Sequence, residues 1–156
     1  MRLTTKGRYA VTAMLDLALH EGAGPVSVYD VAARQGLSAA YLEQLFGKLR
    51  RGGLIQSVRG PGGGYQFSRG LDEISVSDIV AAVGEGVDVT RCHGAADCQE
   101  GTQCLTHDLW SELSERIDGY LRNITLDGLV GREDIQRVAQ AQEGRAGELI
   151  ATENRS

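Results

Sequence analysis

The chain has 156 residues, 42% of them hydrophobic and 24% charged, with three cysteines and a formal net charge of −5. That is the balance of one soluble domain with an appended element, long enough to bury a core. Its most apolar stretch, "AVTAMLDLAL", is broken by Thr12 and Asp16, and the start, "MRLTTKGRYA", lacks an apolar h-region, so neither a spanning helix nor a secretory signal is expected.

The charge is unevenly divided. Residues 1–70 carry nine Lys/Arg against four Asp/Glu, and residues 71–156 carry seven against seventeen. A basic half suited to a polyanion is thus joined to an acidic remainder. The odd, clustered cysteines in a cytoplasmic setting argue against a disulfide framework and for metal binding or redox sensing.

In chain order, Ala10, Ala13, Met14, Leu17 and Ala18 follow helical spacing, and Val11, Leu15 and Leu19 widen the stripe. The result should be a largely buried helix, ended by Gly22 and Gly24-Pro25. Ser27 and Asp30 have capping-box spacing and open a second helix that stops at Gly36. Ser38 caps a third, with Leu42, Leu45, Phe46 and Leu49 on one face. The two joined through Gly36-Leu37-Ser38 make a helix-turn-helix. Two β-like runs, Leu54–Val58 and Tyr65–Phe67, then flank a Gly/Pro turn and read as a wing. The fold class is therefore mainly α with a small β-hairpin wing: a winged helix-turn-helix over residues 1–85, followed by a long dimerisation helix.

This architecture places candidate DNA contacts on the outer face of the third helix. They are Ser38, Ala39, Ala40, Tyr41, Glu43, Gln44 and Lys48, with Arg50 and Arg51 at its end. Arg2 and Tyr9, from the start of the chain, join the same surface. Arg59, followed by Gly60 and Pro61, sits on a thin tip suited to the narrow minor groove, where the potential is most negative. Glu43 is the odd member, since phosphates repel a carboxylate. It fits a role in accepting from cytosine N4 and rejecting sites that lack that base.

The second half carries "SVSDIVAAVGEG", a short capped helix ending at Gly84–Gly86. Residues 86–104 form a loop with Cys92-x5-Cys98-x5-Cys104-x2-His107, a four-ligand set of three thiols and an imidazole, with His93 as a spare. Zinc sites favour closer cysteine pairs, and wider gaps suit an iron–sulfur cluster, but spacing alone leaves both open. No elbow motif or paired base accompanies the cysteines, so an enzyme is not expected. Over residues 105–138 come a long helix and a short terminal one. Leu105, Leu109, Leu113, Ile117, Tyr120, Leu121 and Ile124 form an apolar stripe of about twenty residues, with Trp110 beside it. Leu109, Leu113, Ile117, Tyr120, Leu121 and Ile124 are the candidate dimer interface, in keeping with paired half-sites on double-stranded DNA. Residues 139–156 read as a polar, mobile tail.

"MRLTTKGRYAVTAMLDLAL", "YLEQLF", "SVRGPGGGY", "CLTH" and "NITL" resemble the IscR family of iron–sulfur cluster regulators, within the winged-helix repressor superfamily that includes the nitric-oxide sensor NsrR. The resemblance covers residues 1–130. It implies a homodimer whose long helices cross, a [2Fe–2S] cluster on Cys92, Cys98, Cys104 and His107, and cluster-assembly proteins as donors. It also implies repression of cluster-assembly genes by the loaded form, binding of a second class of sites by the cluster-free form, and Glu43 enforcing that distinction. Nitric-oxide sensors space their cysteines differently and lack the CLTH histidine. The family tends to carry serine where this chain has Ala40, which removes a hydroxyl from the reading face. A redox- or nitric-oxide-sensing repressor, a zinc-stabilised repressor and an iron–sulfur electron carrier are the competing readings.

Overall fold

Small side chains on the first helix set the packing of the whole chain. The computed structural model describes residues 4–86, 90, 92 and 94–153, with side chains described to residue 145; Arg2 and His93 lie outside the described residues. Helix α1 (Thr5–His20) buries Ala10, Ala13, Met14 and Leu17 completely. Alanines at those positions let neighbouring backbones come close, and α1 packs against most of the helices introduced below. Helix α2 (Val28–Gln35) is opened by the Ser27 hydroxyl, which accepts from the Asp30 N–H at 3.1 Å. Gly36 closes it in the left-handed region at φ 66°, where a β-carbon would be strained. Helix α3 (Ala39–Arg51) follows, capped by the Ser38 hydroxyl at 3.3 Å from the Tyr41 N–H. It buries Leu42, Leu45, Phe46 and Leu49.

Strands β1 (Ile55–Val58) and β2 (Gly64–Phe67) pair antiparallel, with Ile55 opposite Phe67 and Val58 opposite Gly64. The wing is anchored to the body where Tyr65 and Val26 exchange backbone hydrogen bonds of 2.8 and 2.9 Å. A β-carbon on Gly64 would lie 2.3 Å from the Val26 carbonyl oxygen, so only glycine fits there. The Phe46 and Tyr65 rings, 5.0 Å apart, join α3 to the wing. A helix-turn-helix with a hairpin wing is thus the observed fold of the first half.

Helix α4 (Val76–Ala82) carries a complete capping box between Ser75 and Asp78, with bonds of 3.0 and 3.1 Å. Helix α5 (His107–Arg122) is shorter than the expected twenty residues: Leu105 precedes it and Ile124 follows it. The Ile124 carbonyl accepts from the Val76 N–H at 2.9 Å, so this end of the stripe is used inside the chain. Leu109, Leu113 and Tyr120 remain exposed, at 55%, 38% and 66%, while Ile117 and Leu121 are half-buried. Helix α6 (Leu126–Val130) buries Leu126 against the core. No described helix is long and apolar enough to cross a membrane.

Of the expected mobile tail, residues 139–153 are helical, and 154–156 lie outside the described residues. Helix α7 runs unbroken from Glu133 to Glu153. Ile135, Val138, Ala139 and Gln142 stand at helical spacing and face Val11, Leu15 and Leu19 of α1 across a shallow apolar cleft. A polar chain fixes the contact. Asp16, its side chain 1% exposed, accepts from Arg34 at 2.8 Å and from Gln35 at 2.7 Å. Gln35 in turn donates to Gln142 at 2.9 Å, and the His20 imidazole meets Glu143 at 2.7 Å. Long-range partners therefore hold the start of a segment, up to Glu143, whose composition alone reads as a tail.

Candidate metal centre and DNA-facing surface

The cysteine loop is built to turn backbone N–H groups toward sulfur. Ala96 and Glu100 are non-glycine residues with positive φ, 58° and 47°, a conformation that persists only where surroundings enforce it. Gln99 and Thr102 close the loop's tip by exchanging two backbone bonds of 2.8 Å. The N–H of Cys104 donates to the Cys98 sulfur at 3.0 Å, and the His107 N–H bonds the Cys104 carbonyl at 3.2 Å. That last bond sets His107 as the first residue of α5, where it is the buried one.

Three donor atoms converge there. The Nδ1 of His107 lies 3.3 Å from the Cys92 sulfur and 3.7 Å from the Cys98 sulfur, and all three lie within 4.8 Å of one another. The other ring nitrogen, Nε2, meets the Ser111 hydroxyl at 3.2 Å, so Nδ1 is the nitrogen turned to the sulfurs. The Cys104 sulfur stands outside this triple, 4.0 Å from the Thr106 hydroxyl. It nevertheless lines the same cavity of about 160 Å³, with Thr90, Cys98, Thr106, His107 and Trp110. The motif spacing does not mark Ser111, Thr106 or Trp110 as parts of the centre. Ser111 is still legible, being one helical turn beyond His107.

The thiols are not equivalent. Partial burial opposes ionisation of Cys92, but the N–H groups of Ala96, Gly94 and Asp97 and the Cys98 side chain outweigh it and bring its pKa down to about 7. Cys98 is pushed up, first by its hydrogen bond with the Cys104 side chain and then by burial. Cys104 is lowered by that same bond to Cys98, against burial. One sulfur is thus poised to ionise, while a second pair shares a proton and resists carrying two charges. A cation of soft character removes that conflict, and three sulfurs with one imidazole are the donors it would choose.

On the other face, α3 presents Ala40, Glu43, Gln44, Arg50 and Arg51 as exposed residues, with Ala39, Tyr41 and Lys48 half-buried. Ser38 is exposed, and its hydroxyl is used as the helix cap. Arg59, Gly60 and Pro61 are exposed at the wing tip. Among the described residues none of Lys48, Arg50, Arg51, Arg59 or Glu43 is held in an ion pair. Tyr9 is half-buried, its ring edge-on to Tyr41 at 6.1 Å, and so links α1 to the start of α3.

Several known proteins are similar to this chain. It is 57% identical over 143 residues to the "HTH-type transcriptional regulator IscR" of Photobacterium profundum, covering 92% of this chain and 83% of that one. It is 58% identical over 142 residues to that of Serratia proteamaculans, covering 91% and 87%. Among solved structures, T. potens IscR superposes with a TM-score of 0.69 at 41% identity, over 83% of this chain and 86% of that one. CymR of B. subtilis, a global cysteine regulator, superposes with a TM-score of 0.73 at 32% identity, over 83% and 96%. The family and these relatives are transcriptional regulators rather than enzymes. The profile of the Rrf2 family, described as "Iron-dependent Transcriptional regulator", matches residues 3–132, and the chain belongs to that family.

Proposed function

We propose that this chain is a cytoplasmic, homodimeric repressor that reports iron–sulfur cluster status to DNA. Cys92, Cys98, Cys104 and His107 would hold a [2Fe–2S] cluster. The observation that carries the reading is the convergence of two cysteine sulfurs and the His107 Nδ1 at the first turn of α5, on a chain with an exposed basic reading face. When bound, the cluster supplies a labile centre whose gain or loss is the signal. The protein's own residues do the rest. The loop from Cys92 to Cys104 is drawn onto His107, the start of α5 is fixed, and Ser111 holds the imidazole in the orientation that faces the sulfurs.

Across a twofold axis, the exposed Leu109, Leu113 and Tyr120 of α5 would meet their counterparts and set the spacing of two α3 helices on paired half-sites. A change at the loop then shifts the balance between operator classes rather than abolishing DNA binding. Loaded protein represses cluster-assembly genes, and cluster-free protein retains a second class of sites. Glu43 separates the two by rejecting duplexes without a matching cytosine. Cluster-assembly proteins would be the donors.

The compactness of the three-donor group also favours a second reading, a single zinc ion with a purely structural role. Anaerobic purification with iron and sulfide analysis decides between them. The expected sample is brown and contains both elements in equal amounts. A folded, colourless sample holding zinc supports the second reading, and one holding no metal overturns both. In the same preparation, Cys92→Ala protein is expected to behave as cluster-free protein does, keeping the second class of sites and losing the first; a variant that holds both classes as loaded wild type does overturns the coupling.

A further inference from the structure

Helix α1 begins without a cap of its own. Its N-cap residue, Thr4, makes no side-chain capping bond, and its first turn has no acidic residue. Lys6 and Arg8 stand there instead, and cations at a helix start oppose the dipole. The free N–H groups are satisfied from far away in sequence. The carboxylate of Glu85 accepts from the N–H of Thr4, 81 positions away, at 3.2 Å and from the N–H of Gly7 at 3.0 Å. The Thr4 hydroxyl donates to its other oxygen. Together these reproduce the bonding of a capping box, with the acidic partner supplied from another part of the fold.

Where Glu85 sits gives this cap a consequence. Its own N–H closes the turn after α4 by bonding Val80 at 3.1 Å, and the next cysteine along the chain is Cys92. On its other side α4 is tied to α5 through Ser77 and Asp118 at 3.0 Å, and to Ile124 just after that helix through the Val76 N–H at 2.9 Å. Glu85 therefore precedes the cysteine loop in the chain and sits on the turn after a helix that is tied to α5, the helix that leaves the loop. At the far end of the contact, α1 carries Tyr9, whose ring stands at 83° to that of Tyr41 in the first turn of α3. A set of contacts runs from His107 along α5, across Ser77 and Asp118 to α4, and through the one carboxylate of Glu85 to α1 and the reading helix.

We propose that Glu85 is the positioning residue that transmits the state of the cysteine loop to the DNA-reading helix, by capping α1 from the entry of that loop. The idea rests on the cluster-dependent DNA binding proposed above and names the side chain through which it acts. A local cap would leave α1 indifferent to the loop. A cap carried on the loop's entry makes the first turn of α1, and Tyr9 beyond it, depend on where the loop holds Glu85.

The test compares wild type, Glu85→Ala, and Glu85→Ala combined with Thr4→Asp, which gives α1 a cap of its own. Each is prepared with and without cluster, and affinity is measured at fixed salt for a duplex selected from a random library by loaded wild-type protein. Couplings of this kind are about 5–150-fold, and both variants are expected to reduce the loaded-to-empty ratio to below about twofold. Cluster content and visible spectrum should stay at the wild-type level. The double variant should recover helicity and duplex binding without recovering the ratio, which a merely structural cap does not predict. Retention of the wild-type ratio in either variant overturns the inference while leaving cluster sensing intact. A wild-type ratio near one overturns cluster sensing itself, and the inference with it.

Discussion

Leu45 of α3 and Leu109 of α5 occupy equally apolar stripes on helices of similar length, yet Leu45 is 1% exposed and Leu109 is 55% exposed. In the first half every leucine stripe has found a partner within the chain, so α1, α2, α3 and the wing share one core. In the second half the face of α5 carrying Leu109, Leu113 and Tyr120 finds none among the described residues, and only His107 of that helix is buried. The difference separates two uses of one signal. Helical periodicity reports that a face must be covered, and the rest of the fold decides whether the cover comes from within.

The largest expected effect tests that division directly. Phe46→Ala should cost about 3–5 kcal/mol in denaturant unfolding, because the ring is fully enclosed between α3 and the wing. Leu113→Asp should leave helicity nearly unchanged and instead shift sedimentation from dimer toward monomer. Equal losses of stability in both variants would erase the contrast. Next in size is Glu43→Ala, which removes an exposed carboxylate from the reading face. It is expected to lose about 1–3 kcal/mol of discrimination between operators, with unfolding within about 0.5 kcal/mol of wild type. Competition binding across an operator panel measures it, and an unchanged preference order removes Glu43 from readout.

The smallest effect concerns the loop, and it is read by pH. With its pKa brought down to about 7, Cys92 of metal-free protein should be alkylated at half its limiting rate near that pH, while Cys98, pushed up, lags until the solution is alkaline. The sign for stability follows from the same displacement. An ionisation made easier by folding stabilises the folded loop above the ordinary thiol pKa, and the contribution is lost as pH falls through about 7. Peptide mapping of the alkylated protein over a pH series checks both. Equal rates at the two cysteines would mean that the loop's N–H groups do not favour the Cys92 thiolate in solution.

Much of this is legible along the chain, for a local reason. The turn at Gly36, the caps at Ser27, Ser38 and Ser75 and the stripe of Leu42, Leu45 and Phe46 depend on neighbours within one or two turns. The donor set is legible too, since thiols and an imidazole gathered in one loop have few uses besides binding metal. The pointing of each donor is not. Spacing of one helical turn predicts that Cys104 and His107 face the same way. Both do line one cavity, yet the Cys104 sulfur lies beside Thr106 and outside the closest triple of donors, while its N–H bonds the Cys98 sulfur. The stretch after residue 138 reads as a tail because its few apolar residues look too sparse to hold a helix. What orders it is the chain of Asp16, Gln35 and Gln142, with His20 and Glu143 alongside, whose members lie on three different helices.

By itself, then, the sequence determined the helix-turn-helix, the wing and the identity of the sulfur and imidazole donors, because each is written in short-range periodicity or in residue type. Tertiary structure alone decided that α7 continues past residue 138, which residues of the α5 stripe stay exposed, and that Glu85 caps α1. Each of those depends on groups distant in the chain meeting at hydrogen-bond or van der Waals range, and no local pattern encodes such a meeting.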